Sequence, residues 1–518
     1  MTSAAASDRI EPRLLAGFLA MVLGMFMAIL DIQIVAASLN EIQAGLAASA
    51  DEIVWVQNSY LIAEVVMIPF SGYLSRTFGT RWTFVASAAG FTLASLGCAF
   101  AETMSQMIVL RALQGFIGGA MIPLVFSTAY AALPRSRQAT ITVMIGLVAT
   151  IAPTLGPTLG GWLTETLSWH WLFLANVAPG LVVILAVGTL MDIDRPQIDL
   201  IRRIDLPGLI LMAAFLGCLD FVLEDGARND WFADRTILCC AVLSGIAGLG
   251  FFWRALTAAN PIVDIRAFAD RNFATGCLFS FILGIALYGL VYMQPQFLAR
   301  VRHLNALQIG GVMLVTGLSQ FLSAPLIGGL SRRIDPRILL AFGFSLLAAS
   351  NFWLTGLNAD WDFDQFVGPQ ILRGSGFMFV MIPVNILALG TLPADRLKNA
   401  SGLFNLTRNL GGAFGLAGIN TLLDQRGTLH WARLAEAVNP ARPEIHARLA
   451  DMAAFLSARR PGLDAARAAA KSLANQVLQQ ATVLSFIDVF FLLSLLCATA
   501  AGAVVLARKP KARPAAAH

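Results

Sequence analysis

The amino-acid sequence predicts an all-α integral membrane protein with fourteen transmembrane helices, built as two pseudo-symmetric six-helix bundles plus two inserted helices. Three observations support this fold class: the composition, the alternation of apolar segments with basic loops, and a pattern that occurs twice. The chain has 518 residues, of which 57% are hydrophobic and only 13% are charged. A soluble protein carries about 25% charged residues, and a single soluble core does not grow to this length. Lipid must therefore cover much of the surface.

Fourteen segments are apolar and long enough to cross a bilayer, which requires about 20 mostly apolar residues. The first has no small-residue cleavage site after a short apolar core, so we expect it to be retained as a span. The fourteen segments are 14–37, 53–73, 82–101, 106–132, 139–165, 170–191, 206–224, 236–257, 272–298, 307–329, 338–357, 364–392, 399–423 and 481–507.

The short loops between these segments alternate in basic content. Cytoplasmic loops are enriched in lysine and arginine, so we predict that the basic side is cytoplasmic, that both termini lie there, and that the membrane is the inner membrane of a bacterium. The small net charge of +5 is a topology signal rather than a nucleic-acid footprint, and no nucleic-acid partner is expected. The basic loops carry Arg76, Arg81, Arg135, Arg137, Arg195, Arg202, Arg203, Arg266, Arg271, Arg332, Arg333, Arg337, Arg396 and Lys398, and the opposite loops carry Arg228, Arg235, Arg300 and Arg302.

The pattern Pro-x-x-Gly-x-Leu-Ser-Arg, with a further arginine five residues later, begins at Pro69 and again at Pro325, 256 positions on. Each copy closes an apolar segment, the second and the tenth, and opens a basic loop. Segments one to six then match nine to fourteen, and Arg111 of segment four matches Arg373 of segment twelve. The repeat predicts two related halves, with boundaries at 1–191 for the N-terminal bundle, 192–271 for the linker and inserted helices, 272–507 for the C-terminal bundle and 508–518 for a cytoplasmic tail.

One connection on the outer side, 424–480, is long and polar. Its apolar residues recur at helical spacing, and Asn439-Pro440 and Arg460-Pro461-Gly462 interrupt them. We expect two or three amphipathic helices there. They either pack on their own membrane domain or form a docking surface for a periplasmic partner.

No residue pattern indicates a catalytic or metal site. The six cysteines lie in apolar segments without metal-ligand spacing, and none of the five histidines lies within the interior of a span, since His170 is only the first residue of segment six. A phosphate-cradling Gly-Lys-Ser/Thr run is also missing, which argues against ATP as the energy source. We therefore predict that the protein is not an enzyme and uses no cofactor.

Ionisable residues inside spans are costly and are functional candidates. Asp31 of segment one and Arg111 of segment four lie at matching depths, so the two can pair. Pairing would keep Asp31 ionised while apolar surroundings would favour its protonated form. Such a balanced group could carry a proton or handle a cation, or the pair could be a static salt bridge.

Other charges in the spans leave their roles open. Glu64, near the middle of segment two, is either a silent protonated contact or a site for a proton or a cationic substrate. Arg373 is either structural, like its repeat mate, or a substrate contact. Asp220 and Glu224 lie at the outer end of segment seven, where water can reach them. Arg408 and Asp488 could pair within the second half.

Segment five contains Ala-Pro-x-x-Gly-Pro-x-x-Gly-Gly, with small residues at a spacing that lets two helix backbones approach closely. The prolines bend the helix. A bent, smooth helix suits an interface between the two halves, although ordinary tight packing explains it too. The residues are Ala152, Pro153, Gly156, Pro157, Gly160 and Gly161.

This pattern resembles the span-five antiporter signature of the major facilitator superfamily. Gly72, Arg76, Gly79 and Arg81 resemble its loop two-three signature, and Arg111, Gln114, Gly115 and Gly118 its span-four signature. Leu30-Asp31 with Ile34-Val35, and Trp55 with Tyr60, are similar to the fourteen-span drug:proton antiporters of the EmrB/QacA type, above all EmrB-like members. The resemblance covers essentially the whole chain.

Three positions depart from the family pattern. Arg76 stands where the loop signature usually has an acidic residue, which argues against an acid-based gating latch at that position. Gln33 and Ala36 replace threonine and asparagine of the span-one motif, at positions that should face the cavity. Ala152 replaces the first glycine of the span-five signature.

The resemblance implies a proton-coupled multidrug efflux transporter that exports amphipathic or aromatic compounds by alternating access. Asp31, Arg111, Glu64, Gln33, Gln114, Asp220 and Arg373 are its candidate coupling and substrate residues. It further implies a tripartite pump with a periplasmic membrane-fusion adaptor (EmrA/HlyD-like) and an outer-membrane channel (TolC-like). The alternative is a dedicated exporter of one siderophore, organic acid or metabolite, with the intramembrane arginines binding an anion.

Overall fold

The computed structural model describes residues 11–49, 51–194, 196–304, 306–331, 333–390, 392, 394–438, 442–459 and 464–509. Within these ranges every regular element is a helix. In chain order the α-helices are α1 (Pro12–Ala37), α2 (Leu39–Gly45), α3 (Trp55–Phe78), α4 (Thr80–Ala99), α5 (Met104–Gly118), α6 (Met121–Ala132), α7 (Arg135–Thr166), α8 (His170–Leu174), α9 (Val177–Leu190), α10 (Leu206–Asp225), α11 (Arg235–Thr257), α12 (Arg271–Arg300), α13 (Ala306–Leu330), α14 (Pro336–Trp353), α15 (Phe363–Leu389), α16 (Ala394–Ala437), α17 (Pro443–Arg459) and α18 (Ala465–Ala503).

Each of the fourteen predicted apolar segments lies on one helix or on two consecutive helices. Among the described residues, eleven helical stretches are long and apolar enough to cross a membrane, or twelve if the bent pair Thr140–Pro153 and Leu155–Thr166 forms one span. Helices α3 and α16 fall short of that standard because they carry buried polar residues, among them Asn58, Glu64 and Arg408. The protein is therefore a multi-pass helical membrane protein, and the count of fourteen spans stays a prediction.

Helix starts at one face of the molecule are capped by aspartate side chains. The carboxylate of Asp205 accepts the Gly208 N–H at the start of α10, and that of Asp270 accepts the Asn272 N–H at the start of α12. Asp335 does the same for the first turn of α14. An N-terminal carboxylate satisfies backbone donors that lack a partner within the helix and favours the helix dipole, so these residues fix where the helices begin.

Both described ends of the chain lie at this same face. Near the beginning of α1, the guanidinium of Arg13 donates to the Thr189 carbonyl at the end of α9. At the other end of the chain, Arg271 Nε donates to the Leu506 carbonyl at 2.9 Å, and Arg337 reaches Ala507. We call it the basic face, because the basic loops after α3 and α13 belong to it, and we call the other side the opposite face.

The two halves meet mainly through α3, α6 and α7 of the first half. Helix α3 packs on α16, α6 on α16, and α7 on both α13 and α15. Of the predicted inserted helices, α10 packs on α11 and also contacts α3 and α16. The insert is therefore joined to both halves rather than standing apart from them.

The predicted loop 424–480 is largely helical. Its first part continues α16 without a break to Ala437, α17 forms a separate helix, and its last part is the beginning of α18. Arg448 of α17 donates to Gln476 of α18 at 3.1 Å. The expectation of helices is confirmed, and two of them continue the membrane helices α16 and α18. The bounds of the loop stay a prediction. Residues 439–441 and 460–463, which include the predicted interruptions, lie outside the described residues. We call 424–480 the outer extension.

Candidate functional site

Asp31 of α1 is the centre of a buried hydrogen-bond network. Arg111 Nη1 of α5 lies 2.6 Å from Asp31 Oδ2, and both side chains are fully buried. The amide of Asn176 donates to Asp31 Oδ1 at 2.7 Å, and that of Gln114 donates to the same oxygen at 3.4 Å. The contact predicted from matching depths is present, and Gln114 belongs to the same network. Asn176, which lies between α8 and α9, was missed because a neutral residue at a helix break carries no distinctive signal.

The guanidinium group of Arg111 contacts several polar and aromatic groups besides Asp31. Its Nε donates to the Val56 carbonyl of α3 at 3.0 Å, and its Nη1 donates to Gln114 Oε1 at 2.7 Å. The guanidinium lies 4.3 Å from the Tyr60 ring centroid and 5.8 Å from that of Phe173. A buried ion pair is stable only with such additional contacts. Nη2 has no partner among the described residues, so the network retains an open donor.

The second half holds its matching arginine without a carboxylate. Arg373 of α15 donates to the side-chain oxygen of Gln294 and, at 2.9 Å, to Thr316 Oγ1. Gln294 of α12 thus occupies the place that Asp31 occupies in the first half. Arg373 is 1% exposed, and its hydrogen-bond partners among the described residues are neutral groups. Of the two matching arginines, Arg111 therefore has a carboxylate partner, whereas the described contacts of Arg373 include none.

The suggested pairing of Arg408 with Asp488 is wrong. Arg408 donates to Asn405 one turn earlier on α16 and lies over the Phe126 ring of α6, 5.3 Å from its centroid. Asp488 of α18 instead accepts from His430 Nε2 at 2.9 Å. The two residues sit at different levels, because α16 runs on past the membrane helices and brings His430 to Asp488.

Glu64 and Asp220 are both buried, at 2% and 1% exposure. The expectation that water reaches Asp220 is wrong, because α10 packs between α3 and α16 and turns this residue inward. Asn58 of α3 donates to Asp225 of α10 at 3.1 Å, and the Trp55 and Phe221 rings stack at 5.5 Å. Helix α10 is thereby fixed against α3, with Asp220 close enough to Glu64 to interact electrostatically.

The small residues of α7 face α1 within the same half. A methyl group added at Gly156 would meet Gln33 of α1, and one added at Gly160 would lie 2.8 Å from the Ile34 carbonyl oxygen. Gly156 and Gly160 therefore take part in tight packing within the first half, while α7 itself lies at the interface between the halves, where it packs on α13 and α15. The α7 helix contacts the second half elsewhere, for example where Thr158 lies against Gly310. The helix bends by 45° just after Pro153, between Thr140–Pro153 and Leu155–Thr166, and the Gly161 carbonyl accepts a hydrogen bond from Thr164 at 3.1 Å.

The loop after α3 forms a close contact between the halves at the basic face. A methyl group at Gly72 would lie 2.8 Å from the Lys398 carbonyl of α16. Gly79 has a φ of +82°, which only glycine adopts without strain. Arg81 donates to the Gly188 carbonyl, and Arg76 Nε lies 3.4 Å from the Gly72 carbonyl. These residues shape the turn and dock it.

An ion pair between the halves is present here, and its carboxylate comes from Asp194. We call this ion pair the latch. This residue accepts from Thr80 N at 2.8 Å and from Thr80 Oγ1 at 2.7 Å, and it forms an ion pair with Lys398 of the second half. The carboxylate of the latch therefore does not come from position 76, where the loop signature usually has an acidic residue and this chain has Arg76. Asp194 could not be recognised from the sequence, since it follows α9 and lies 204 positions from Lys398.

The second copy of the loop pattern has a different ion pair. Arg337 pairs with Asp335 at 2.9 Å, within its own loop. Hydrogen bonds from Arg337 hold the pKa of Asp335 below its ordinary value. Arg332 lies outside the described residues. The two loops are therefore not equivalent, and only the first is seen to link the halves through an ion pair.

The Major Facilitator Superfamily model matches residues 21–416 of the chain. The chain belongs to the major facilitator superfamily. Being a member of this transporter superfamily, the protein is not an enzyme, as predicted. Among its described residues, no group of three or more histidine, cysteine or acidic side chains could hold a metal ion.

The transporter is similar over nearly its whole length to proteins of the EmrB type. It is 41% identical to the colistin resistance protein EmrB of Acinetobacter baumannii, covering 92% of this chain and 93% of the relative. It is 29% identical to the multidrug export protein EmrB of Escherichia coli, covering 95% of each. With the fatty acid resistance protein FarB of Neisseria gonorrhoeae the identity is 31%, over 82% and 83%. These matches confirm the family resemblance seen in the motifs.

Solved structures show the same fold at low identity. The proton:xylose symporter XylE superposes with a TM-score of 0.57 at 13% identity, covering 93% of the transporter and 94% of XylE. The human organic anion transporter MFSD10 gives 0.56 at 13% identity, covering 94% and 100%. At this identity the match establishes the fold and carries no information on substrates.

Proposed function

We propose that the protein is a proton-coupled multidrug exporter that moves amphipathic or aromatic compounds across the bacterial inner membrane by alternating access. The observation that carries the proposal is the Asp31–Arg111 network, a fully buried carboxylate held by a cation and two amides. Relatives named for multidrug export and for resistance to colistin and fatty acids support it.

The network suits a proton carrier for a physical reason. Arg111 and the amides of Gln114 and Asn176 stabilise the charged form of Asp31, while burial opposes it. A rearrangement within the first half that moves α1 away from α5 and lengthens the contact to Arg111 would favour uptake of a proton. Return to the close contact would then release it, which couples the protonation state to the conformation.

Transport into everted membrane vesicles tests this role. We expect the wild-type protein to dissipate an imposed proton gradient when an exported dye is added. Asp31→Asn should abolish this coupled proton movement, since asparagine has nearly the same size but cannot ionise. Substrate-driven proton movement that persists in Asp31→Asn would refute the coupling role of Asp31.

The alternative is a dedicated exporter of one siderophore, organic acid or metabolite. The observation that favours it is the pair of buried arginines, Arg373 and Arg408, whose contacts among the described residues are to neutral or aromatic groups. The guanidinium group of either arginine could bind an anionic substrate. A resistance screen over many compounds in a pump-deficient host separates the two functions, because a dedicated exporter protects against one compound only.

We further propose that both termini are cytoplasmic and that the outer extension docks a periplasmic membrane-fusion adaptor, which leads to an outer-membrane channel. The excess of basic loops at the face that holds both chain ends supports this orientation. The extension projects from α16 and α18 at the opposite face, where such an adaptor would meet it.

A further inference from the structure

A groove of about 430 Å³ lies at the opposite face, where the outer extension joins the membrane helices. Its walls are the last turn of α12 and one side each of α16 and α18. These helices pack on one another, and Gln479 of α18 donates to the Val301 carbonyl just after α12 at 3.0 Å. The volume falls within the range of about 300–1,000 Å³ that is usual for ligand sites, so the groove can hold a small ligand or part of a larger one.

The groove crosses the level at which we predict the spans to end. Arg300 and Asp424 line it just beyond the predicted ends of segments nine and thirteen. Leu423 and Phe486 line it from within segments thirteen and fourteen. Charged side chains just outside the apolar core and apolar ones just inside it match the layers of a bilayer, in which headgroups cover acyl chains. The position therefore favours a lipid over a water-soluble ligand.

Two opposite charges stand on different walls of the groove. Arg300 belongs to α12 and Asp424 to α16, and neither side chain makes a hydrogen bond or a salt bridge with another residue that the structure describes. The neighbouring charges on α16 and α18 are engaged with one another, since Asp488 lies 2.9 Å from His430 and 3.6 Å from Arg426. The groove therefore presents one guanidinium and one carboxylate that are available to a ligand.

The two charges match a phospholipid headgroup that carries both signs. The N–H donors of a guanidinium bind phosphate, and a carboxylate accepts hydrogen bonds from a primary ammonium. Asp424 repels an anionic headgroup without an ammonium, such as that of phosphatidylglycerol, and the trimethylated ammonium of phosphatidylcholine has no N–H to donate to it. The indole of Trp431, which is 48% exposed and lines the groove, can lie over an ammonium. Ethanolamine is therefore the headgroup that fits best.

We propose that the groove binds one molecule of phosphatidylethanolamine from the leaflet at the opposite face. Its phosphate lies at Arg300 and its ammonium at Asp424. One acyl chain lies along Leu423 and Phe486. A lipid in this position contacts α12, α16 and α18 together, so it holds the base of the outer extension against the second half. The lipid site is distinct from the buried Asp31 network and does not depend on which compound the protein transports.

Native mass spectrometry of the purified, delipidated full-length protein, titrated with defined phospholipids, tests the site. We expect the first phosphatidylethanolamine to bind the wild-type protein about tenfold more tightly than phosphatidylglycerol or phosphatidylcholine. Arg300→Gln should weaken binding of phosphatidylethanolamine about tenfold, because the phosphate loses its guanidinium partner. Asp424→Asn should bring the affinities for phosphatidylethanolamine and phosphatidylglycerol to within about twofold, because the carboxylate that separates them is gone.

Further variants control for charge and for folding. Arg433→Gln makes the same charge change at an exposed position of α16 outside the groove, so it should bind the lipid like the wild type. Gly427→Phe fills the groove without changing a charge and should abolish specific binding. Gly427→Ala should keep it, because the added methyl group lies 3.6 Å from Ser485 Oγ, an ordinary contact.

Three results would overturn the proposal. The first is equal affinity of the wild-type protein for the three phospholipids, and the second is wild-type affinity in both Arg300→Gln and Gly427→Phe. The third is a loss in Arg433→Gln as large as that in Arg300→Gln, which would mean that binding follows net charge alone. Displacement of the lipid by an equal concentration of soluble glycerophosphoethanolamine would contradict the part given to the acyl chain, and we expect none.

Discussion

At the scale of single residues, the two halves differ in the partner that each provides for its buried arginine. Arg111 has a carboxylate at 2.6 Å, whereas Arg373 has the amide oxygen of Gln294. Both guanidinium groups are fully buried. A buried charge without an opposite charge lowers the stability of the folded state. The second half is therefore less stable than it would be with an acidic residue at position 294. This asymmetry is expected if one half carries the proton and the other does not.

Gln294→Glu should therefore stabilise the protein. The substitution keeps the size of the side chain, replaces an amide nitrogen that has no partner among the described residues, and supplies a charge opposite Arg373. We expect a gain of about 1–3 kcal/mol in the free energy of unfolding, measured by denaturant unfolding in detergent.

Gln294→Met serves as the matched control, because it removes the acceptor and should destabilise the protein. If Gln294→Glu is as destabilising as Gln294→Met, Arg373 is not charged in the native state.

The sequence predicted the residues of this network unevenly. Asp31 and Arg111 could be placed together because each charge inside a span is conspicuous and helix rise gives its depth. Asn176 and Gln294 could not, since neutral amides are common in spans and only tertiary contacts reveal their partners. Arg408 and Asp488 show the opposite error, because two charges in neighbouring spans were paired without knowing their levels.

At the scale of helices, the contact between α1 and α7 depends on glycine. A methyl group at Gly160 would lie 2.8 Å from the Ile34 carbonyl oxygen of α1, and a backbone atom cannot move aside as a flexible side chain can. Spacing alone predicted close packing but left its partner open, since small residues every three or four positions do not specify which helix approaches.

Gly160→Ala should destabilise the protein by about 1–3 kcal/mol through overpacking. Gly245→Ala in α11 is the matched control, because nothing lies within 4 Å of the added methyl group and alanine favours the helix by about 0.5–1 kcal/mol. Thermal unfolding in detergent measures both. Equal melting temperatures for the two variants would contradict the assigned contact.

At the scale of the whole molecule, the ion pair between Asp194 and Lys398 joins the halves at the basic face. Asp194→Asn should open this face, because asparagine can still accept from Thr80 but cannot pair with Lys398. A cysteine introduced at Ser401, which is fully buried, in a chain otherwise free of cysteine should then react faster with a maleimide.

Thr80→Val is the control for the latch, since it removes a hydrogen bond to Asp194 and keeps the ion pair. Its labelling rate should stay close to that of the parent. A labelling rate unchanged in Asp194→Asn would mean that the close packing of Gly72 on α16 alone holds the face shut.

The outer extension is the largest feature that lies beyond the spans. Gly427 lies close to Ser485, with 3.6 Å between a methyl group added at Gly427 and Ser485 Oγ, so a short linker can replace 428–476 without disturbing the membrane helices. If the extension docks an adaptor, this deletion should abolish resistance in cells and leave dye transport in everted vesicles intact, because vesicles need no route through the periplasm. The full-length protein and the deletion variant must be present in the membrane at equal levels.

Resistance equal to that of the full-length protein would show that the extension only packs on its own domain. Loss of vesicle transport would show that the extension supports the transport cycle itself.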